Sequence, residues 1–408
     1  MNKQHLSRYF NQAIIVVALG FMALAFAYSV RAILSLAMPI WERELDWSRG
    51  DVSNIAAVTL VIMAVVAPLS GILLDRKGLR FTLLVGLIAV CASSILVSLA
   101  QSTPTLFIGF ALMGGVGFGI VSTHIVAAAV ARVFPDHVGF ASGIATSGSS
   151  AGQFLIVPLI AVLLSNFSWQ WGFAALGIGT ALLIPFVWLI PDDNCEETDS
   201  PGTVQSASSS VWLTDLRHLM LSPVFHLLFW SYLLCGYTTT GVIETHLLPY
   251  ADLCGFAPIP SASAYGLLSV VNLAGMIGIG WLADRVNRPL LLAGIYLVRG
   301  FTFWLLLNIG SSYENLLLFA VIFGIVDYST VPVTTSLVSS HLGLRTVGFV
   351  MGLLTAGHQL GAAIGAGFGG YMFDKSETYD LVWGSSIVLS AIAGLLVFLM
   401  REKPPVPT

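Results

Sequence analysis

Two arginines stand inside long apolar runs of this 408-residue sequence, Arg31 in AYSVRAIL and Arg299 in LVRGFTFW. An ionisable side chain in hydrocarbon costs about 3 kcal/mol or more, so each needs a partner or a polar cavity. A guanidinium matches a carboxylate through two parallel hydrogen bonds. Arg31 is therefore the leading candidate for binding an organic anion. Its alternatives are to reach outward to lipid headgroups or to pair with Glu42.

Arg299 has a different candidate partner. It lies about ten residues, or roughly 15 Å, from the inner end of its apolar run. Asp327, in FGIVDYSTVP, is at a similar depth in the next run. The two positions predict a buried ion pair, which is either structural or part of proton coupling through protonation of Asp327. Removing one partner of such a pair typically costs about 3–5 kcal/mol. Direct substrate binding by Arg299 is the alternative.

Other polar side chains fall near the middle of apolar runs, and Tyr28 lies one turn before Arg31. Glu244 and His246, in GVIETHLLPY, are nearer the outer end of their run and predict an outer gate or a proton entry point, since histidine titrates near neutral pH. Solvated rim residues are the alternative for that pair. Interfacial packing is the alternative for Tyr28 and Tyr237, and hydrogen bonding between helices is the alternative for His358. The candidates for substrate binding are Tyr28, Arg31, Gln153, Tyr237, Asn272, His358 and Gln359.

Composition places all these residues in a membrane, because 56% of the chain is hydrophobic and only 9% is charged, unlike a soluble domain. The sequence contains apolar stretches long enough to cross about 30 Å of hydrocarbon as helices. An all-α protein with 12 transmembrane helices is predicted, the first of them retained rather than cleaved as a signal peptide. The approximate spans are 12–40, 52–74, 81–101, 104–131, 138–165, 170–190, 223–250, 262–283, 289–309, 314–340, 345–372 and 380–400.

Charge distribution predicts the orientation of these helices. Positive residues accumulate in cytoplasmic loops. With the N-terminus inside, only three of the 17 lysines and arginines fall outside, namely Arg43, Arg49 and Lys375. Both termini are therefore expected to be cytoplasmic.

One offset of 209 residues relates the two parts of the sequence. GILLDR at 71–76 matches GWLADR at 280–285, and TSGSSAG at 146–152 falls on TAGHQLG at 355–361. Matches in register at distant places indicate a duplicated unit. We expect an N-terminal six-helix bundle at 1–190, an acidic and Ser-rich cytoplasmic linker at 191–222, and a C-terminal six-helix bundle at 223–408.

The loop GILLDRKGLR resembles the signature cytoplasmic loop of the major facilitator superfamily, G-x-x-x-D-[RK]-x-G-[RK]-[RK]. The resemblance implies two pseudo-symmetric bundles and a latch for the outward-facing state. Asp75 is expected to cap a helix N-terminus and to pair with cations of the neighbouring bundle. The second copy, GWLADRVNR, has Asn287 where the glycine is expected. Charge that serves only topology is the alternative. The gating-loop candidates are Gly71, Asp75, Arg76, Gly78, Arg80, Asp284 and Arg285.

Four further segments look like the monocarboxylate transporter-like branch of that superfamily: LDWSRGDVSN, ARVFPDHVGFASGIATSGS, FSWQWGF and THLLPYADLCGF. This resemblance implies transport of a small carboxylate, often with a proton, by rocking of the two bundles. The chain departs from it in helix 8, where the positions of the branch's Asp and Arg fall on Asn272 and Met276. Charge must therefore be bound elsewhere.

The resulting prediction is a secondary transporter of a small, monocarboxylate-like organic anion, with proton-coupled symport. Transport of a larger amphiphilic metabolite, as in carboxylate siderophore uptake or drug efflux, is the alternative. No catalytic residue set, metal-ligand spacing or cofactor motif suggests an enzyme, and nothing indicates nucleic-acid binding. The expected partners are the solute, a proton and the lipid bilayer, for a monomer spanning the inner cell membrane many times.

Overall fold

The computed structural model describes residues 3–45, 47, 49–190, 217 and 219–403, and these residues contain helices and no strand. Most of the predicted linker, 191–216 and 218, lies outside the described residues. The helical stretch Arg49–Ser98 is divided at Gly78, whose φ of 73° is not helical. The helices are α1 (Lys3–Glu44), α2 (49–77), α3 (79–98), α4 (Thr103–Val133), α5 (138–166), α6 (Trp169–Leu189), α7 (223–253), α8 (Pro258–Ala283), α9 (Arg288–Leu307), α10 (Tyr313–Leu342), α11 (Val347–Ser376) and α12 (Asp380–Phe398).

Ten helices among the described residues are long and apolar enough to cross a membrane, where the sequence predicted twelve. Two local features account for the difference. One candidate, Asn54–Ser98, contains both α2 and α3, because the turn at Gly78 does not break the helical hydrogen-bond pattern. The other is α7, which a π-helical segment at Tyr237–Gly241 divides into two shorter helices.

Two helices are interrupted near their middles. In helix α4 a π-helical segment, Phe107–Gly114, follows the first turn, and the chain leaves helical geometry at Val121. Helix α10 stops at Asp327, with φ −61° and ψ −82°, and resumes at Thr330. An interrupted helix leaves main-chain carbonyls without their usual donors, so polar partners must be found inside the protein.

Packing within the chain repeats along with the sequence. Helix α1 packs on α5 as α7 packs on α11, and α3 packs on α6 as α9 packs on α12. Small residues allow the first of these contacts, since Gly148 lies against the main chain of Phe21. Gly361 lies in the same way against the main chain of Leu233.

The N-terminal and C-terminal helices meet along two seams. In the first seam, α2 against α11, Gly71 approaches the main chain of Gly348, and Gly352 approaches that of Ala67. A Cβ added to either glycine would overlap main-chain atoms of the opposite helix. The contact is therefore available only to residues without a side chain.

The second seam, α5 against α8, repeats the first at the 209-residue offset. Gly139 approaches the main chain of Gly280, and Gly143 approaches that of Met276. Adding 209 to 67, 71, 139 and 143 gives 276, 280, 348 and 352, so both seams use equivalent residues. The two halves therefore meet through a pseudo-symmetric pair of main-chain contacts.

Replacing Gly143 with leucine should force the α5–α8 seam apart, because the new side chain would overlap Met276. Spin labels at the exposed positions Lys77 and Val286, in a background without native cysteines, report the separation by pulsed electron resonance. Longer label distances are expected. The matched control is Gly294→Leu on α9, where an added Cβ meets nothing within 4 Å. An unchanged distance distribution for Gly143→Leu would contradict the assignment of this seam as a close main-chain contact.

Candidate functional site

Arg31 lies opposite Glu244, so the two halves of the chain meet there through an ion pair. The distance from Nη2 of Arg31 to Oε2 of Glu244 is 3.5 Å, and the side chains are 22% and 26% exposed. The guanidinium also lies 5.8 Å from the ring centroid of Tyr28. A cation, a carboxylate and an aromatic wall thus share one partly solvated place.

Glu244 is held by two further donors. The Tyr328 hydroxyl donates to Oε1 at 2.6 Å, and the Thr240 hydroxyl donates to the same oxygen at 3.2 Å. The sequence placed Glu244 near the outer end of its run and gave no indication of these contacts. Long side chains from α1 and α10 extend to it, and spacing along one helix could not reveal that reach.

His246 faces away from Glu244 and packs inside the C-terminal half. Its Nε2 lies 3.0 Å from the carbonyl of Ala366, and its Nδ1 lies 3.4 Å from the hydroxyl of Tyr379. Two residues along a helix correspond to a rotation of about 200°. The two neighbours in sequence therefore do not form one gate, and the solvated-rim interpretation of His246 is wrong because the side chain is buried.

Asn272 connects the α5–α8 seam to the interruption of α10. Its amide donates to Ser150 at 3.1 Å, across the two halves, and to the carboxylate of Asp327 at 3.4 Å. Its carbonyl accepts from the main-chain N–H of Tyr328 at 3.2 Å. The first two bonds are buried and the third is part-buried. Asn272 thus joins three helices where the monocarboxylate-like branch was expected to carry an acid.

His358 contributes a hydrogen-bond acceptor to the same central region. The Thr239 hydroxyl donates to the carbonyl of Cys235 at 2.7 Å, so it must accept from Nε2 of His358, 3.3 Å away. A neutral ring then has Nδ1 as an acceptor. This Nδ1 and the Oε1 of Gln359 are both buried without a hydrogen-bond partner among the described residues.

A further contact across the halves, between His124 and Tyr232, was not predicted. Nε2 of His124 on α4 is hydrogen-bonded to the hydroxyl of Tyr232 on α7. The rings cross nearly at right angles, with centroids 5.3 Å apart, and the His358 ring lies 5.1 Å from that of Tyr232. The internal repeat did not indicate a role for Tyr232, because the equivalent residue in the N-terminal half is Ala23.

Tyr237 and Gln153 are placed less centrally than their residue types suggested. The Tyr237 hydroxyl is 2.9 Å from that of Ser385 on α12. Tyr237 begins the π-helical segment of α7, whose wider turn changes the direction of side chains relative to α1. It therefore does not reproduce the position of its repeat equivalent, Tyr28. Gln153 is half-buried on α5.

Arg299 reaches the interruption of α10, as its depth suggested, but through the main chain. Nη2 donates to the carbonyls of Val326 and Asp327 at 2.7 and 2.5 Å, and Nη1 donates to the sulfur of Cys235 at 2.8 Å. The Asp327 carboxylate instead accepts from Asn272. A cation at the C-terminal end of a helix segment satisfies carbonyls and complements the helix dipole.

Asp75 binds the N-terminus of α11. Its carboxylate accepts from the main-chain N–H groups of Gly348 and Phe349 at 2.9 and 2.7 Å, across the two halves. It also forms an ion pair with Arg132. Because Arg132 belongs to the same half, the expectation of a cation from the neighbouring bundle is wrong. The contact that does join the two halves is the cap, in which Asp75 accepts hydrogen bonds from the N-terminus of α11.

Asp284 repeats this contact at the 209-residue offset. It accepts from the main-chain N–H groups of Gly139 and Phe140, both at 2.8 Å. Burial raises the pKa of this carboxyl, and the two N–H groups oppose the shift. The carboxyl is therefore protonated at a higher pH than an ordinary aspartate, so mild acid weakens this cap.

The remaining loop candidates lie around these two caps. Arg76 is exposed, while Arg80 lies over the Trp188 ring at 4.1 Å. Arg285 lies over the ring of Trp281 at 4.0 Å. Asn287, in place of the expected glycine, caps α9 by accepting from Leu290 at 3.0 Å.

The model of the Major Facilitator Superfamily matches residues 20–345 and 279–408 of the sequence. The chain belongs to the major facilitator superfamily. Its family and relatives are transporters and not enzymes. The described part of the chain holds no group of three or more His, Cys, Asp or Glu side chains that could bind a metal ion.

Two relatives resemble this superfamily member over most of its length. Human monocarboxylate transporter 11 is 26% identical over 413 residues, covering 96% of this chain and 83% of that protein. The uncharacterized MFS-type transporter YcxA of Bacillus subtilis (strain 168) is 24% identical over 365 residues, covering 87% and 88%.

Solved structures share the fold. The human organic anion transporter MFSD10 has a TM-score of 0.73 at 17% identity, covering 95% of this chain and 99% of that one. The proton:xylose symporter XylE has a TM-score of 0.69 at 15% identity, covering 96% and 95%. At such identities the likeness concerns the fold alone.

Replacing Arg299 with methionine should lower thermal stability, by about 1–3 kcal/mol for each carbonyl left without a donor. Asp327→Asn should cost less, because the main-chain bonds remain. A double-mutant cycle measured by thermal unfolding separates the two ideas. The main-chain assignment predicts that Arg299→Met costs as much in the Asp327→Asn background as in the wild type. A cost that disappears in that background would instead establish a side-chain ion pair.

Proposed function

We propose that this transporter moves a small, monocarboxylate-like organic anion by alternating access and proton-coupled symport. The observation that carries the proposal is the pair of Arg31 and Glu244, which joins the two halves at 3.5 Å while both side chains remain partly exposed. A guanidinium in that position binds a carboxylate with charge-assisted hydrogen bonds. Opening and closing around such a site changes access to it from one side of the membrane to the other.

Two kinds of similarity support this choice of solute and coupling ion. A relative that covers most of the chain is named a monocarboxylate transporter, and a protein of the same fold is named an organic anion transporter. Another protein of the same fold is a proton:xylose symporter. The first two names, together with Arg31, support an anionic solute. The third name, together with Glu244, supports a proton as the coupling ion.

We assign twelve membrane crossings to α1–α12, with both termini in the cytoplasm of a cell-membrane monomer. The candidate span that contains Gly78 counts as two crossings, α2 and α3, because the chain turns there. Helix α7 counts as one crossing because its π-helical segment leads directly into the next helix. The domains are then 1–190 and 223–408, with the linker 191–222 on the cytoplasmic side.

With this orientation, the caps made by Asp75 and Asp284 close the cytoplasmic side, and the conformation faces outward. Rocking of the halves toward the inward-facing state must break both caps. It must also break the bond between Asn272 and Ser150 and that between His124 and Tyr232. These four contacts form the barrier below the site, and we assign them, with the neighbouring loop residues, to gating.

The substrate contacts follow from position. Arg31 binds the carboxylate, and Tyr28 forms an apolar wall beside it. His358 and Gln359 contribute the unpaired acceptors at the inner side of the site. Asn272 positions the α5–α8 seam, and Gln153 and Tyr237 take more peripheral places around the path.

Replacing Arg31 with glutamine should weaken anion binding roughly tenfold to a hundredfold, the loss expected for one charged hydrogen-bonding group. Arg31→Lys should retain part of it, because charge remains but bidentate geometry is lost. The measurement is a thermal-shift and proteoliposome-uptake screen with mono-, di- and tricarboxylates, siderophores and cationic drugs at two pH values. The control is Lys375→Gln, an exposed cation at the end of α11. Stabilisation by cations alone, or anion transport untouched in Arg31→Gln, would refute the proposal.

A further inference from the structure

We infer that Glu244 is the proton acceptor of the transport cycle, and that its neutralisation releases Arg31 to the substrate carboxylate. This inference rests on the proposed function and names the coupling group of that same site. It moves proton coupling away from Arg299 and Asp327, where the sequence placed it, to the ion pair that joins the two halves.

Arg31 is the group for which two carboxylates compete. In the structure its guanidinium faces Glu244 at 3.5 Å. A substrate carboxylate that takes this place leaves Glu244 without its cation, and a buried or half-buried unpaired charge is costly. A proton on Glu244 removes that cost. Anion binding and protonation therefore favour one another.

Glu244 can hold the proton without a new partner. In the charged form it accepts from the hydroxyls of Tyr328 and Thr240 at 2.6 and 3.2 Å. A hydroxyl is both donor and acceptor, so a protonated Glu244 can donate to Tyr328 after that hydroxyl turns. The step consists of one O–H bond formed with a proton from the outer solution, and the same bond is broken when the site faces inward.

Asp327 is less suited to this exchange. Its side chain is 7% exposed, and its carboxylate accepts from the amide of Asn272 at 3.4 Å. Arg299 is held by the carbonyls of Val326 and Asp327 instead of by this carboxylate. Protonating Asp327 would therefore leave the hydrogen bonds of Arg299 intact and would free no cation for a solute.

The groups around Glu244 determine the sign of the pH effect. Arg31 alone among the facing groups favours the charged carboxylate by its own charge, while Asp327 opposes it. The titratable or charged side chains that interact with Glu244 are Tyr28 and Arg31 from α1, Tyr265 from α8, Asp327 and Tyr328 from α10, and His358 from α11. Once the solute occupies Arg31, the balance shifts toward protonated Glu244.

The linkage has a definite direction. Because the anion-bound form holds the extra proton, anion affinity rises as pH falls. For one linked proton the limit is about a tenfold change in affinity per pH unit. A site in which Glu244 instead binds the ammonium of a zwitterion would need a charged carboxylate and would take up no proton.

The test is calorimetric titration of purified protein with pyruvate, between pH 6 and 8, in two buffers of different ionisation enthalpy. Wild type should take up about one proton per pyruvate bound, with affinity falling as pH rises. Glu244→Gln should take up none, show no pH dependence, and bind pyruvate more tightly than wild type at pH 8, because the competitor for Arg31 is gone. Asp327→Asn is the matched control and should still take up about one proton per pyruvate bound, with affinity that still falls as pH rises.

Tyr328→Phe gives a second measurement if Glu244→Gln does not fold. Loss of its hydroxyl removes a donor to the charged carboxylate, so the pH at which pyruvate binding weakens should rise. Proton uptake that persists in Glu244→Gln, or disappears in Asp327→Asn, would overturn the inference while leaving anion transport intact. Binding of alanine without proton uptake, lost in Glu244→Gln, would overturn it in favour of an ammonium site. If wild type binds no anion, the proposed function fails and the inference fails with it.

Discussion

A charge placed in hydrocarbon needs a polar partner, and the interior of this transporter is organised by how that requirement is met for two arginines. Arg299 is fully buried and is satisfied by the carbonyls of the interrupted helix α10 and by Cys235. Arg31 is partly exposed and has a movable carboxylate, Glu244, from the opposite half. The first arrangement cannot change without breaking α10. In the proposed function the second exchanges one carboxylate for another, so the same physical requirement gives a structural site at Arg299 and a proposed binding site at Arg31.

The pseudo-symmetry of the halves is close at the seams and is lost at the centre. Asp75 and Asp284 cap equivalent helix ends, with all four distances between 2.7 and 2.9 Å. In the middle, Asn272 bonds Ser150, but the equivalent residues are Met63 and Gln359, and methionine offers no donor. The Gln359 oxygen consequently has no partner among the described residues. Two equivalent seams can open and close in the same way. A solute without two-fold symmetry, by contrast, needs different side chains from the two halves around it.

Repeats, glycines and isolated charges leave local signals, so the sequence predicted the equivalent seams and the loop motif. It also singled out Arg31, whose role in substrate binding stays a prediction. The sequence placed Arg299 at the right depth beside residue 327 but predicted the Asp327 carboxylate as its partner. The interruption of α10 leaves main-chain carbonyls free to accept hydrogen bonds, and residue types alone do not indicate this. Glu244 and His246 were grouped because they lie two residues apart in sequence, although the helix directs them to different neighbours. Tyr232 had no signal at all, because its contact with His124 comes from the opposite half. The direction of side chains and the identity of their partners could not be predicted, because both depend on packing between distant segments.

The π-helical segment of α7 explains why the two halves, built from equivalent helices, place different groups at the site. Tyr237–Gly241 occupies the position where α1 continues as a regular helix through Arg31. The wider turn directs Tyr237 to Ser385 on α12, while Thr239 lies against His358 and Thr240 against Glu244. One half therefore supplies the cation and the other supplies hydroxyls and a carboxylate. At the 209-residue offset Arg31 corresponds to Thr240 and Glu244 to Ser35, so the central ion pair depends on residues that differ between the duplicated units.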